Sequence, residues 1–184
     1  MGDFSKHKFG TKAIHAGAEP DPSTGAIMTP IFQTSTYVQE SPGVNKGFGY
    51  ARGKNPTREA LQKNIAALEN GKHCVCFSSG MGATDAVMRM LRPGDEVILL
   101  EPCYDSYRPS VETMGGVPVI YALSAPDYRV DWAAVGRLIT PRTCMLCINT
   151  PQNPVGKILT RAELIQIAAL AQKYNILVLS DEVY

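Results

Sequence analysis

The sequence predicts an α/β fold, a mostly parallel sheet with flanking helices, preceded by an extended N-terminal arm. Three observations predict it. From Asn55 to Tyr184, helix signals and strand signals alternate, the pattern of a chain that crosses repeatedly over one sheet. The strand signals are short apolar runs without alternation, such as Ile176-Leu177-Val178-Leu179, as expected of strands covered on both faces. Residues 1–53 stand apart, with Pro20, Pro22, Pro30 and Pro42 and little helical periodicity.

Taken in order, residues 1–53 read as an arm that another surface orders, with Thr29 to Tyr37 extended. Its aromatic Phe32, Tyr37, Phe48 and Tyr50 argue against a disordered leader. Asn55 can cap a helix with Pro56 in its first turn; Leu61, Ile65 and Leu68 share one face, and Gly71 can end it. Cys74 to Phe77 reads as a short strand that turns through Ser78-Ser79-Gly80-Met81-Gly82-Ala83 into a helix stopped by Pro93-Gly94. Then follow a strand from Glu96 to Leu100, a helix from Tyr107 to Met114 and a strand from Val117 to Leu123. A helix from Asp131 to Ile139 and a strand from Thr143 to Asn149 come next. Thr160 with Glu163 three residues on forms a capping box for the next helix, and the apolar run at Ile176 leads to Asp181.

Composition bounds the function. The 184 residues suffice for one domain, or one and part of a second; 45% are hydrophobic and 19% charged, an ordinary globular balance. A net charge of +1 gives no electrostatic case for nucleic acid or a membrane surface. The opening residues lack the apolar core of a signal peptide, and no run is long enough to span a bilayer. Five cysteines, an odd set, favour reduced thiols and a cytoplasmic location. Cys144 and Cys147, three apart on a strand, should face opposite sides as two buried thiols.

Three places carry possible chemistry. In the Ser78–Ala83 loop a strand signal passes into a helix through glycines, where free backbone N–H groups and the helix dipole suit a phosphate; a plain tight turn is the competing reading. Asn149-Thr150-Pro151-Gln152-Asn153-Pro154 is stiffened by its prolines and presents two side-chain amides, or is simply a turn. Asp181 with Tyr184 suits a protonated pyridine ring beside a phenol, or Asp181 only caps the next element. Each is weak alone; together they set a phosphate cup, a polar contact and a carboxylate along one sheet edge.

These residues resemble the pyridoxal-phosphate enzymes of the aspartate aminotransferase fold. Up to about Gly94 the text is similar to the cystathionine γ-synthase and methionine γ-lyase group of cysteine and methionine metabolism. It does so through Thr11-Lys12-Ala13-Ile14-His15-Ala16-Gly17, Thr29-Pro30-Ile31, Tyr50-Ala51-Arg52-Gly53-Lys54-Asn55-Pro56-Thr57-Arg58 and Phe77-Ser78-Ser79-Gly80-Met81. From about Glu101 it resembles class I aminotransferases of the kynurenine and methionine type, through Glu101-Pro102-Cys103-Tyr104-Asp105-Ser106-Tyr107, Asn149-Thr150-Pro151-Gln152-Asn153-Pro154 and Ser180-Asp181-Glu182-Val183-Tyr184. The γ-synthase group's Tyr-Gly-Gly motif does not occur, so the chain reads as a hybrid joined between Met81 and Glu101.

The resemblance implies pyridoxal 5'-phosphate as cofactor, with its phosphate on Ser79 and the backbone amides of Gly80 and Met81. Tyr104 then stacks on the ring, Asn153 and Tyr184 contact its phenolic oxygen, and Asp181 partners the pyridinium nitrogen. Tyr50 and Arg52 reach a neighbouring subunit's phosphate, which implies a homodimer or tetramer. It also implies that residues 54–184 are part of a large cofactor-binding domain. The Schiff-base lysine of both groups follows the aspartate, and no lysine occupies that place; Lys157 reads as a solvated loop lysine. The expectation is an incomplete cofactor-binding half, inactive alone, of a sulfur-amino-acid lyase or γ-replacement enzyme. An aminotransferase and an inert hybrid are the alternatives, and the substrate is an amino acid.

Overall fold

A computed structural model describes residues 4–184. The chain divides into two compact units, Met1–Phe77 and Ser78–Tyr184. Among the described residues no helix is long and apolar enough to cross a membrane.

In the first unit, α1 (Phe9–His15) packs on α2 (Pro56–Leu68). Asn55 caps α2 as its sequence predicts, accepting from the N–H groups of Thr57 and Arg58 at 2.9 and 3.3 Å. Asn64 of α2 donates to the carbonyls of Lys12, Ala13 and Ala16, satisfying the end of α1. Gly17 follows at φ +78°, and a Cβ there would meet the Ala60 carbonyl at 2.4 Å, so this close approach requires glycine. The stretch from Pro30 to Phe32 is tied to α2 by Thr57, whose hydroxyl donates to the Pro30 carbonyl at 2.7 Å. A short hairpin, β1 (Gln39–Ser41) and β2 (Val44–Asn45), completes the unit's regular structure. The strand expected at Cys74 to Phe77 does not form. Among the described residues no backbone ladder runs beside it, and the Cys76 N–H donates instead to the Gln62 side chain at 3.1 Å.

The second unit is α3 (Gly80–Met88), β3 (Glu96–Glu101), α4 (Tyr107–Thr113), β4 (Val117–Ala122), α5 (Trp132–Leu138), β5 (Thr143–Asn149), α6 (Arg161–Tyr174) and β6 (Leu177–Asp181). Its four strands run parallel in the order β4-β3-β5-β6. Successive residues of β3 feed opposite faces, as strand geometry requires. Ile98 and Leu100 join Trp132, Val135 and Ile167 under α5 and α6, while Val97 and Leu99 join Met88, Tyr107 and Val111 under α3 and α4. Thr160 and Glu163 make the predicted capping box of α6.

Two further expectations are corrected here. The run at Ile176 is not a strand covered on both faces: β6 is the sheet edge, and Leu177 stays 54% exposed because it has one strand neighbour. Cys144 and Cys147 do not face opposite sides; both pack against the α3–α4 core cluster. The register shifts where Glu96 pairs with Thr143 but Val97 pairs with Met145, so Cys144 is the extra residue of a bulge, which breaks the strand alternation.

Candidate cofactor site

The site forms where four sequence segments meet at the carboxyl ends of the strands in the second unit. Ser79 has extended backbone and caps α3, accepting from the Gly82 N–H at 3.1 Å. The first helical N–H groups, at Gly80 and Met81, have no partner within the helix and carry its positive dipole end. A Cβ built on Gly80 meets nothing within 4 Å, so the space before these amides is open. A bound oxyanion has room to approach the backbone there.

Parallel register sets the opposite wall. Asn149 lies beside Asp181 across β5 and β6, and its amide donates to the Asp181 carbonyl at 2.8 Å. The Asn149 side-chain oxygen then accepts from the Asn153 N–H at 2.6 Å, which shapes the Pro151–Pro154 loop. Gln152 locks that loop from beneath: buried, it donates to the carbonyls of Leu100 and Pro102 at 3.0 and 2.8 Å. Lys157 is not the solvated lysine that the sequence suggests. Its ammonium lies 2.9 Å from Glu163 and is mostly covered, because the capping-box carboxylate faces it.

Gly80, Met81, Tyr104, Asn153, Asp181 and Tyr184 line one cleft of about 510 Å³. Six of the nine residues singled out in the sequence thus share one surface, and Ser79 caps the helix that forms its floor. Tyr50 and Arg52 belong to the first unit; both are exposed, and the Arg52 guanidinium lies 4.8 Å from the Tyr50 ring centre. The first unit has a larger cavity of about 630 Å³ walled by prolines, Phe32, Tyr37 and Phe48, but it holds none of the predicted site residues. Chemistry, not volume, selects the smaller cleft.

Sequence reasoning passed over Tyr107 and Gln152. Tyr107 is buried, stands edge-on to Tyr104 with ring centres 5.7 Å apart, and donates its phenol proton to Asp181 Oδ2 at 2.5 Å. Burial, reinforced by the Asp181 hydrogen bond, pushes the Tyr107 phenol far above its ordinary range, so it stays a donor. Burial likewise pushes the Cys147 thiol up to about 12, leaving it neutral beneath the site. The available signal was a second tyrosine three residues after Tyr104, at the start of α4. For Gln152 it was a long amide held between two prolines.

The donor set fits a phosphorylated pyridine. It offers an open helix N-terminus, an aromatic side chain, two side-chain amides and a carboxylate whose Oδ1 takes no hydrogen bond from the described residues.

Comparison with known proteins agrees on the cofactor family, but the match to one family runs across the junction expected between Met81 and Glu101, and the aminotransferase likeness is partial. Residues 10–184 match the family described as Cys/Met metabolism PLP-dependent enzyme. The chain is 39% identical over 179 residues to the cystathionine β-lyase of Coxiella burnetii, covering 97% of this chain and 45% of that protein. The crystal structure of metB from Corynebacterium glutamicum superposes with a TM-score of 0.80 at 33% identity, over 98% of this chain and 46% of that one. YbdL from Escherichia coli, described as having a methionine aminotransferase function, is 38% identical over 55% of this chain and 27% of its own, with a TM-score of 0.53. The chain therefore spans about half the length of the curated relatives it matches.

Proposed function

This chain belongs to the family of Cys/Met metabolism PLP-dependent enzymes, and on that premise we propose that it forms the cofactor-binding part of a sulfur-amino-acid lyase or γ-replacement enzyme. The observation that supports this most is the single cleft that joins the α3 N-terminus to Asp181. Pyridoxal phosphate, when bound, supplies a pyridinium electron sink for chemistry at an amino acid's α-carbon. The amides of Gly80 and Met81, with the α3 dipole, would hold the phosphate dianion. The Tyr104 ring would pack against the pyridine and exclude water from it. Asp181 Oδ1 would accept a hydrogen bond from the protonated ring nitrogen and keep that proton in place. Asn153 and Tyr184 would orient the phenolic oxygen as donors.

Lys157 and Lys173 are the only lysines of the second unit, and neither lines the cleft. The 184-residue chain should therefore bind the cofactor non-covalently. Borohydride reduction and peptide mass spectrometry test this: stoichiometric modification of one lysine, Lys157 included, contradicts it.

Amino transfer is the second reading, favoured by the Glu101–Tyr107 and Asn149–Pro154 text and by the likeness to YbdL. In an enzyme carrying this segment, ammonia and an oxo acid as products support a lyase, and amino transfer to an added oxo acid supports the alternative. A catalytically inert hybrid gives neither. Tyr50 and Arg52 are proposed to serve the phosphate of a second subunit in a homodimer, Arg52 through a bidentate guanidinium. Mixing Arg52→Ala subunits with Asp181→Ala subunits in that enzyme restores activity if sites are shared and leaves it dead if they are not.

A further inference from the structure

We infer that Tyr107 is the positioning residue of this site: its phenol fixes the Asp181 carboxylate so that Oδ1, and not Oδ2, is presented to the ring nitrogen. The inference rests on the reading of Asp181 as the pyridinium partner and extends it to a residue outside the predicted site.

The geometry is restrictive. Tyr107 opens α4 and its ring is 3% exposed, packed in the cluster that contains Met88, Val111 and Cys147. Its backbone N–H is tied to the Tyr104 carbonyl at 3.2 Å. The ring cannot follow a rotating carboxylate, so turning Asp181 means breaking a 2.5 Å bond between a phenol and an ionised oxygen. Bonds of that length and charge type are roughly twice as strong as neutral ones. A buried tyrosine hydroxyl needs an acceptor, and a backbone carbonyl would satisfy it. Here the acceptor is instead a cleft-lining carboxylate 74 positions away in the sequence. One oxygen is thereby occupied from below and the other left for a ligand. The remaining titratable groups about the pair are Cys147 on β5, Cys103 and Tyr104 before α4, and Glu182 and Tyr184 after β6. Burial raises both thiols, which keeps them neutral, so none of these cysteines replaces the phenol as a hydrogen-bonded partner at neutral pH.

The experiment uses the 184-residue chain, carboxyl-¹³C-labelled at aspartate, with the Asp181 resonance assigned through Asp181→Asn. At neutral pH the Asp181 carboxyl ¹³C resonance of Tyr107→Phe should move away from its position in the parent chain, because the hydrogen-bond donor to Oδ2 is removed. Pyridoxal phosphate labelled with ¹⁵N in its ring, added at saturation, should stay protonated to higher pH on the parent chain than on Tyr107→Phe. It should lose that elevation altogether on Asp181→Asn. Should Tyr107→Phe fail to fold, 3-fluorotyrosine at position 107 keeps the shape, donates more strongly, and should move the Asp181 carboxyl resonance in the opposite direction. An Asp181 carboxyl resonance that neither replacement moves, with Asp181→Asn still altering the ring nitrogen, makes Tyr107 a packing residue and overturns the inference alone. A ring nitrogen indifferent to Asp181→Asn overturns the reading of Asp181, and the inference with it.

Discussion

Two carboxylates stand at opposite ends of the parallel sheet, and their surroundings differ in kind. Glu96, at the amino end of β3, is 3% exposed and accepts from four side-chain donor groups. Arg142 gives two of these bonds, at 3.0 and 2.6 Å, and the hydroxyls of Thr140 and Thr143 give the others, at 2.5 and 3.0 Å. Asp181, at the carboxyl end of β6, accepts one bond from Tyr107 and otherwise faces the cleft. A buried charge is tolerable only when paired and hydrogen-bonded. Glu96 meets that condition from within the protein and is structural. Asp181 is only half-buried, and its second oxygen stays open to the cleft.

The largest expected effect breaks the structural end. Arg142→Met leaves the Glu96 charge with two hydroxyl donors and should cost about 2 kcal/mol, the scale of hydrogen bonds to a charged group. A lower urea midpoint at unchanged slope is the measurement. The same site sets an acid limit. Hydrogen bonding from Thr140 first, then from Arg142 and Thr143, holds the Glu96 carboxyl below its ordinary value against the opposing effect of burial. Its stabilisation is therefore present above the ordinary carboxylate range and lost as pH falls through the lower folded value. Arg142→Met should flatten that acid-side loss in a series of urea titrations.

Smaller effects sharpen the functional end. Gly80→Val should weaken phosphate or pyridoxal phosphate binding at least ~10-fold, about 1.4 kcal/mol, by filling the approach to the amides. The fold should hold, because nothing lies within 4 Å of the added Cβ. Calorimetry and thermal unfolding on one sample distinguish the two, and unaltered anion affinity means that the loop is a plain turn. Ser79→Ala removes the α3 cap and should cost about 1 kcal/mol of stability, with a lesser loss of anion affinity. Asp181→Asn should cost least, no more than about 1 kcal/mol, because the asparagine oxygen still accepts from Tyr107 and only the charge assistance is lost. A cost equal to that of Arg142→Met would erase the distinction drawn between the two carboxylates.

Much of the cleft's lining was legible because its signals are local. The α3 entry is written in Ser79-Gly80-Met81, and Asn153 and Asp181 follow strand signals directly. Tyr107 was not legible, because a tyrosine at a helix start is most simply a core residue, and its partner lies on another strand. The apolar runs Val97–Leu100 and Ile176–Leu179 make the same point. Val97 to Leu100 is covered on both faces, while Leu177 and Val178 are exposed, although composition does not distinguish them.

The sequence by itself determined the capped helices at Asn55 and Thr160, the alternation of helix and strand, and the membership of a cofactor-binding family. Those features depend on contacts within about one helical turn or on the side-chain period of a strand. Only the tertiary structure decided that β3 is central and β6 an edge, that a bulge brings Cys144 to the face of Cys147, and that Lys157 closes on Glu163. It alone set Asn149 beside Asp181 across 32 positions, Gln152 beneath Leu100 across 52, and Tyr107 against Asp181 across 74. Such neighbours are chosen by sheet order and register, which depend on how all the layers pack together, and no short stretch of sequence contains that information.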